Sequence, residues 1–229
     1  TKESWDFVNK AIGEDGIYMA NLAPSVIQQL LEFDMGVANF YYLLQDHQAE
    51  IEELFDIMHK CRLKEYEIFA SKFPGDVIVS CENTSSTMIS PAMYEKYSLP
   101  QLSDFVSIMH QSNKKAIFHM CGYLKNLLPV IKETGLDGFN ALTPPPVGDT
   151  PFDYALDILG EDIIILGGCI NSIVFLTKSP EEIKRHLEET FTPRIRNAHF
   201  LLSVPGDGRP VSLDRYMVVR DWIEENGKL

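Results

Sequence analysis

The 229-residue chain has few cysteines, few cationic side chains and no long apolar run. Its cysteines are Cys61, Cys81, Cys121 and Cys169. This wide spacing argues against the dense disulfide framework of a small secreted domain and favours reduced thiols. The longest apolar stretch, in EDIIILGGCI, is far shorter than the roughly 20 residues that span a bilayer, and the N-terminus lacks the pattern of a signal peptide. We therefore expect a cytoplasmic protein that does not bind membranes.

Positive charge is also scarce, with 20 Lys and Arg against 33 Asp and Glu and a formal net charge of −13. Phosphate binding needs clustered Lys and Arg, so a nucleic-acid partner is not expected. Hydrophobic residues make up 45% of the chain and charged residues 23%, which is an ordinary globular composition. The length is sufficient to bury a substantial core, and no linker or internal repeat divides the chain.

Short runs rich in Ile, Val, Phe and Leu alternate with longer segments of helical periodicity. The runs predict strands at 16–21, 76–81, 115–121, 137–142, 162–168 and 198–203. The run DIIILGG is apolar on both faces, as expected for a parallel strand that is covered on both sides. Strands alternating with helices predict a parallel α/β fold.

The intervening segments predict helices at 24–35, 49–73, 90–113, 179–191 and 212–227. Ser90 is placed as an N-cap, and Ser179 with Glu182 forms a capping-box pattern. Pro100 should kink or split its helix. Cys61 falls on the apolar face of the second predicted helix, so we expect it to pack in the core.

About six strand–helix units are visible, whereas a closed β/α barrel has eight. Two architectures remain open: a doubly wound open sheet, or a barrel whose first two units lie outside the sequence. A start at Thr1 rather than Met favours the second. In either case the ligand site is expected at the carboxyl ends of the strands.

Polar or thiol side chains follow most of the predicted strands. They are Cys81, Glu82, His119, Cys121, Asn140, Cys169, Asn171, Ser203 and Asp207. His119 and Cys121 are two residues apart, so on an extended segment they point to the same face. Imidazole and thiolate together suit Zn²⁺, and one further ligand from another strand would leave an open, catalytic position.

Simpler interpretations exist for the same residues. A cysteine on a buried strand is commonly a small core residue, and a histidine at a strand end is often only hydrogen-bonded. The segment PGDG at 205–208 could hold Asp207 over the strand ends, but it is also a good turn sequence. No Walker loop, dinucleotide-binding glycine motif or nucleophile elbow is present, so nucleotide binding and serine hydrolysis lack support.

Four blocks, VIVSCENTSSTMISPAMYEKYSLPQL, AIFHMCGYLKNLLPVIKETGLDGFNAL, IIILGGCINSI and FLLSVPGDGRPVSLDRYMVVRDWI, follow one another in the order found in the uroporphyrinogen decarboxylase superfamily. The chain resembles that superfamily over nearly its whole length. The resemblance implies an α/β fold of the (β/α)8 TIM-barrel type, with residues 1–229 as a single domain forming the C-terminal three quarters of the barrel. The first two strand–helix units would precede Thr1.

Within the superfamily, the His-x-Cys pair resembles the corrinoid-dependent methyltransferase branch rather than the true decarboxylases. That resemblance implies a zinc ion held by His119 and Cys121, and a methyl group carried as methylcobalamin on a corrinoid protein partner. Asp207 stands where this branch has a second cysteine and where decarboxylases have a histidine. It is predicted as the third ligand, with Cys169 and Cys81 as alternatives.

The implied function is zinc-dependent transfer of a methyl group between the corrinoid and a small thiol or similar acceptor. Residues predicted to bind substrate are Cys81, Glu82, Asn140, Cys169, Asn171 and Ser203, and no residue is assigned a catalytic role. Two alternatives are decarboxylation of an acidic tetrapyrrole and a non-catalytic module that binds a corrinoid or tetrapyrrole. Assembly as a homodimer is a further open alternative.

Overall fold

A computed structural model describes residues 1–204 and 211–227, apart from the side chains at positions 168 and 169. A parallel six-stranded sheet lies at its centre, and the strands neighbour one another in chain order. The strands are β1 Met19–Leu22, β2 Val77–Ser80, β3 Lys115–His119, β4 Gly138–Asn140, β5 Ile164–Cys169 and β6 Phe200–Ser203. All six predicted strands are therefore confirmed, each shorter than its apolar run.

The strand order decides between the two predicted architectures. A doubly wound sheet reverses direction at a switch point, whereas here the order is β1-β2-β3-β4-β5-β6 with parallel pairing throughout. This is the sequential order of a β/α barrel. Within the described residues no strand pairs with the outer edge of β1 or β6, so the barrel wall is open there.

The two faces of the sheet also differ as they do in a barrel. The outer face carries Ile78, Phe118 and Ile165. These side chains belong to the main hydrophobic core, together with the buried side chains of the helices. The inner face carries a separate small cluster of strand residues, Val77, Val79, Ile117 and Leu166. Because side chains alternate along a strand, the next inner-face position after Ile117 is His119. The apolar inner face therefore leads directly to the mouth of the barrel.

Helices cover the outer face and connect consecutive strands. The α-helices are α1 Lys2–Ile12, α2 Val26–Gln29, α3 Val37–Asp46, α4 Gln48–Lys72, α5 Pro91–Met93, α6 Leu99–Gln111, α7 Leu128–Lys132, α8 Phe152–Leu159, α9 Ser172–Thr177, α10 Pro180–Thr190, α11 Pro193–Asn197 and α12 Leu213–Asn226. Two π-helical turns, Leu30–Asp34 and Tyr94–Ser98, continue α2 and α5. No helix in the described part of the chain is long and apolar enough to cross a membrane.

All five predicted helices are present, two of them with a π-helical turn. The predicted helix at 90–113 is helical without a gap from Pro91 to Gln111, so Pro100 does not split it; Tyr94–Ser98 forms a π-helical turn, and Pro100 lies in the first turn of α6, where its missing N–H is tolerated. The cap assignments are confirmed: the Ser90 hydroxyl accepts a hydrogen bond from the Met93 N–H at 3.3 Å, and Ser179 with Glu182 forms a capping box.

The sequence prediction for Cys61 is wrong, and most short helices were not predicted. The buried stripe of α4 contains Ile51, Phe55, Tyr66 and Ala70. Cys61 lies about a third of a turn away from this stripe, at roughly 100° per residue, and its side chain is exposed. Helices such as α7, α9 and α11 contain only five or six residues, which is too short for a periodic apolar pattern to stand out.

We expect Gly138→Ala to destabilise the fold by more than the roughly 1–3 kcal/mol typical of overpacking. A Cβ at Gly138 would lie 2.2 Å from the Ile164 carbonyl oxygen, a backbone atom of the neighbouring strand. Gly16→Ala is the matched control, because its nearest atom is the end of the flexible Ile12 side chain at 3.2 Å. Urea unfolding of both variants measures the difference, and equal midpoints would contradict the expected strand clash.

Candidate metal and substrate site

His119, the last residue of β3, has its imidazole oriented by the neighbouring strand. Its Nδ1 lies 2.5 Å from Oδ1 of Asn140, and Nδ2 of Asn140 donates to the Leu166 carbonyl at 3.3 Å. Because the amide oxygen can only accept, Nδ1 must carry the proton in this contact. The lone pair of Nε2 is then available, which is the arrangement of a metal-binding histidine.

Cys121 follows two residues later and is exposed at the mouth of the barrel. Its contact with the His119 side chain raises the pKa of the imidazole and lowers the pKa of the thiol, against the opposing effect of partial burial. Both shifts arise from the attraction between imidazolium and thiolate, and once the ring loses its second proton the lone pair of Nε2 can bind a metal. The thiolate is the form of cysteine that binds metals and acts as a nucleophile.

Gly122 allows the loop after β3 to lie directly on the loop after β2. A Cβ at this position would lie 2.5 Å from both the Thr84 carbonyl oxygen and the Cβ of Ser85. The two loops are also hydrogen-bonded, because Tyr123 N–H donates to Oγ of Ser85 at 3.2 Å and Ser86 N–H donates to the Tyr123 carbonyl at 2.8 Å. The glycine of the His-x-Cys-Gly motif therefore allows Cys121 to lie beside the loop after β2.

Asn83 and Glu32 lie beside this pair and were not predicted from the sequence. Asn83 donates its backbone N–H to the His119 carbonyl at 2.9 Å, and its Oδ1 lies 4.0 Å from Sγ of Cys121. Its Nδ2 donates to the Glu32 carboxylate at 3.0 and 3.2 Å. The sequence could have indicated Asn83, because it is a polar residue that closely follows the predicted strand β2. It carried no indication for Glu32, because that residue lies on the π-helical turn after α2.

Glu82, predicted to bind substrate, points to the outer side of the sheet and is only 1% exposed. Its carboxyl group accepts hydrogen bonds from the Ser25 N–H at 2.8 Å, the Ser25 hydroxyl at 2.6 Å and the Ser80 hydroxyl at 2.6 Å. Burial raises the pKa of Glu82, and these hydrogen bonds oppose that effect. The contacts anchor the end of β2 to the start of α2, and a role for Glu82 in substrate binding stays a prediction.

The other predicted site residues are distributed along the mouth. Cys81 is half-buried, and burial raises the pKa of its thiol. Asn171 caps α9, since its Oδ1 accepts from the Ile173 N–H at 2.9 Å. Ser203 ends β6 in register with Cys169. The side chain of Cys169, and Asp207 as a whole, lie outside the described residues.

A bulge at Gly167 lies close to the side chains of Asn140 and Ser203. The backbone there has φ +71, and a Cβ would lie 3.0 Å from Oγ of Ser203 and 3.4 Å from Nδ2 of Asn140. The register between β5 and β6 shifts at the same place. A residue with a side chain would be strained at this φ and would press against both polar groups. Glycine therefore permits Asn140 and Ser203 to approach β5 closely.

The model of the family described as "Uroporphyrinogen decarboxylase (URO-D)" matches residues 30–215 of this chain. The chain belongs to the uroporphyrinogen decarboxylase family. A methylated-thiol–coenzyme M methyltransferase from Methanosarcina mazei is 28% identical over 107 residues, which is 47% of this chain and 27% of that protein. A solved methyltransferase from M. mazei superposes with a TM-score of 0.72 at 16% identity, covering 98% of this chain and 63% of the other.

These similarities confirm the predicted superfamily, its methyltransferase branch and the β/α-barrel fold. The structural match, at 16% identity, shows the fold alone. This chain spans about a quarter of the length of the curated relative and under two thirds of the solved one. For this member of the uroporphyrinogen decarboxylase family, the activity, the substrates and the partners therefore stay predictions.

The donor set of this family member fits two ligands of a zinc ion. His119 offers Nε2 and Cys121 offers a thiol with a lowered pKa, and both atom types are ordinary zinc ligands. Across residues 1–204 and 211–227, no group of three or more His, Cys, Asp or Glu side chains could hold a metal. Asp207, Cys169 and Cys81 therefore stay predictions for the third ligand.

We expect Glu82→Gln to flatten the dependence of stability on pH. A carboxyl whose pKa is raised by folding stabilises the native state most below the ordinary value of about 4.3, and this stability is lost as pH rises through the folded pKa. Glutamine can keep the contacts to Ser25 and Ser80 without ionising. Each unit of pKa shift corresponds to about 1.4 kcal/mol.

Urea midpoints of wild type and Glu82→Gln, measured between about pH 5 and pH 8, test this expectation. The variant should gain stability relative to wild type as pH rises. Glu14→Gln, on an exposed turn, controls for the loss of one negative charge. Parallel curves for wild type and Glu82→Gln would show that Glu82 titrates alike in the folded and unfolded chains.

Proposed function

We propose that this protein is a zinc-dependent methyltransferase that moves a methyl group between a corrinoid protein and a thiol acceptor. The observation that carries the proposal is the His119–Cys121 pair, with Nδ1 of His119 held by Asn140 at the mouth of the barrel. The similarity to a methylated-thiol–coenzyme M methyltransferase supports the same reaction class.

His119 through Nε2 and Cys121 through Sγ would hold the zinc ion, with Asp207 or Cys169 proposed to complete the site. A zinc ion in this position would supply positive charge that lowers the pKa of a bound acceptor thiol. Asn140 keeps the proton of His119 on Nδ1. This fixes the ring, so that the imidazole need not reorient when it acts as a ligand.

The inner face of the sheet would exclude water from one side of the reacting groups. Val79 and Ile117 are almost completely buried directly beneath His119, and Leu166 is buried beside Asn140. A thiolate is more reactive when fewer water molecules solvate it, and interactions with fixed polar groups are stronger in such a site. We propose that Cys81, Asn140, Asn171, Cys169 and Ser203 contact the acceptor above this apolar floor.

The methyl donor must reach the barrel mouth from outside. Cys121 is exposed there, so a large partner could bring a methylcobalamin cofactor close to the thiol site. We therefore propose a corrinoid protein as partner and the small thiol as the second substrate. The cytoplasmic location and the open alternative of a homodimer likewise stay predictions.

Cys121→Ser is expected to abolish stoichiometric zinc binding and methyl transfer from methylcobalamin to a thiol. Removing a direct ligand should lower zinc affinity by more than the roughly 10–100-fold that loss of an outer-shell partner costs. Metal analysis of the purified protein measures the first effect. The control is Cys61→Ser, which removes an exposed thiol from α4 and should change neither property.

A Cys121→Ser variant with the zinc content of wild type would refute the ligand assignment. Removal of the metal by a chelator separates the two reaction classes. Loss of methyl transfer on chelation supports the proposed function. Decarboxylation of an acidic tetrapyrrole that survives chelation would instead favour the alternative activity of the family.

A further inference from the structure

We propose that the side-chain carbonyl oxygen of Asn83 is a further ligand of the metal held by His119 and Cys121, and that Glu32 fixes its direction. The inference rests on the proposed zinc-dependent function and extends it to residues that carry no recognisable motif. It assigns the site an oxygen ligand on the loop after β2, in addition to the nitrogen and sulfur ligands at the end of β3, and the acceptor thiol would take the position of this neutral oxygen when it binds.

Asn83 lies close to both His119 and Cys121. The Asn83 N–H donates to the His119 carbonyl at 2.9 Å, so the loop after β2 runs beside the histidine. Oδ1 of Asn83 lies 4.0 Å from Sγ of Cys121. With metal bonds of about 2.3 Å to sulfur and about 2.1 Å to oxygen, two ligands of one tetrahedral ion lie about 3.5 Å apart. A small adjustment would therefore allow one ion to bridge these two atoms.

Glu32 fixes the orientation of the Asn83 amide. The amide has an oxygen that accepts hydrogen bonds and an NH₂ group that donates them. The NH₂ nitrogen, Nδ2, donates to both oxygens of the Glu32 carboxylate at 3.0 and 3.2 Å. The opposite orientation would turn Oδ1 against a carboxylate, so Glu32 holds Oδ1 toward Cys121. Glu32 is in turn fixed by Nε2 of Gln28 at 3.0 Å, and Gln28 is only 3% exposed.

This arrangement matches a recurring feature of metal sites. A ligating histidine commonly donates its second N–H to a carboxylate, which orients the ring and makes the ligand atom more basic. In the Glu32–Asn83 pair an amide replaces the imidazole, and the carboxylate again binds the N–H group directed away from the metal. The pair thus supplies both the ligand and its outer support.

The backbone at Asn83 is also unusual. Asn83 has φ 42, a left-handed conformation that is unfavourable for most residues and concentrates at functional sites. Its neighbour Glu82 is tied to Ser25, just before α2. Asn83 is tied to Glu32, on the π-helical turn that continues α2. Two consecutive residues after β2 therefore form hydrogen bonds with the helical segment made of α2 and its π-helical turn, one before its start and one near its end. π-helical turns are themselves frequent at functional sites.

Asn83→Gly tests the assignment because glycine tolerates the left-handed conformation and removes only the amide. We expect at most a small loss of folding stability, an affinity for Zn²⁺ reduced by about tenfold or more, and altered visible absorption bands of bound Co²⁺. Glu32→Gln should weaken Zn²⁺ binding by about tenfold, as expected for an outer-shell partner. Asn113→Gly is the matched control, since Asn113 also has a positive φ, of 55, but lies between α6 and the start of β3.

The double variant Asn83→Asp with Glu32→Gln provides a rescue. It exchanges the amide and the carboxylate, so that a hydrogen bond between positions 32 and 83 and an oxygen directed to Cys121 are both kept. We expect it to bind Zn²⁺ at least as tightly as wild type and to retain the Co²⁺ spectrum of an oxygen-containing ligand set. Failure of this variant to bind metal would contradict the proposed ligand role of position 83.

The measurements are competition of the protein with a chelating dye for Zn²⁺ and the absorption spectrum of the Co²⁺ protein. If Asn83→Gly binds Zn²⁺ as tightly as wild type, or more weakly but with an unchanged Co²⁺ spectrum, Asn83 is not a ligand. The proposed function then stands, provided that Cys121→Ser loses the metal. If wild type itself binds no metal, both this inference and the zinc-dependent function fail.

Discussion

The hydrogen bond between Nδ1 of His119 and Oδ1 of Asn140 joins the ends of β3 and β4 and decides what the imidazole can do. It exists because β3 and β4 pair in parallel with these two residues directly opposite each other. The same bond keeps a proton on Nδ1, so that in the neutral ring the lone pair lies on Nε2. Sheet register thus determines the chemistry of the histidine, and the neighbouring thiol of Cys121 then responds to it through its lowered pKa.

The loop after β2 supplies the second constraint on the site. Glu82 and Asn83 are adjacent in the chain but turn to opposite sides, one into the core beside Ser25 and the other toward Cys121. The buried carboxyl anchors the loop, and the amide contacts the candidate metal ligands. Gly122 allows the loop after β3 to lie on this loop without a steric clash. Core packing and site geometry are therefore coupled through two neighbouring residues.

Much of the fold was predictable because parallel strands covered on both faces form continuous apolar runs, as in DIIILGG. The short helices were not, because segments such as Ser172–Thr177 make fewer than two turns. Cys61 shows the limit of a helical pattern: its spacing suits an apolar face, but tertiary packing buries the stripe of Phe55 and Tyr66 instead. The direction of Glu82 was equally inaccessible, because adjacent strand-end residues face opposite sides.

The sequence by itself determined the parallel α/β class, the family and the His119–Cys121 pair, because strand length, apolar pattern and motif spacing are local properties of the chain. Only the tertiary structure decided the sequential strand order, the proton position on His119 and the contacts of Glu32 and Asn83 with the pair. Those contacts join residues up to 51 positions apart. Parallel register and loop packing bring them together, and no spacing rule in a single sequence records that register.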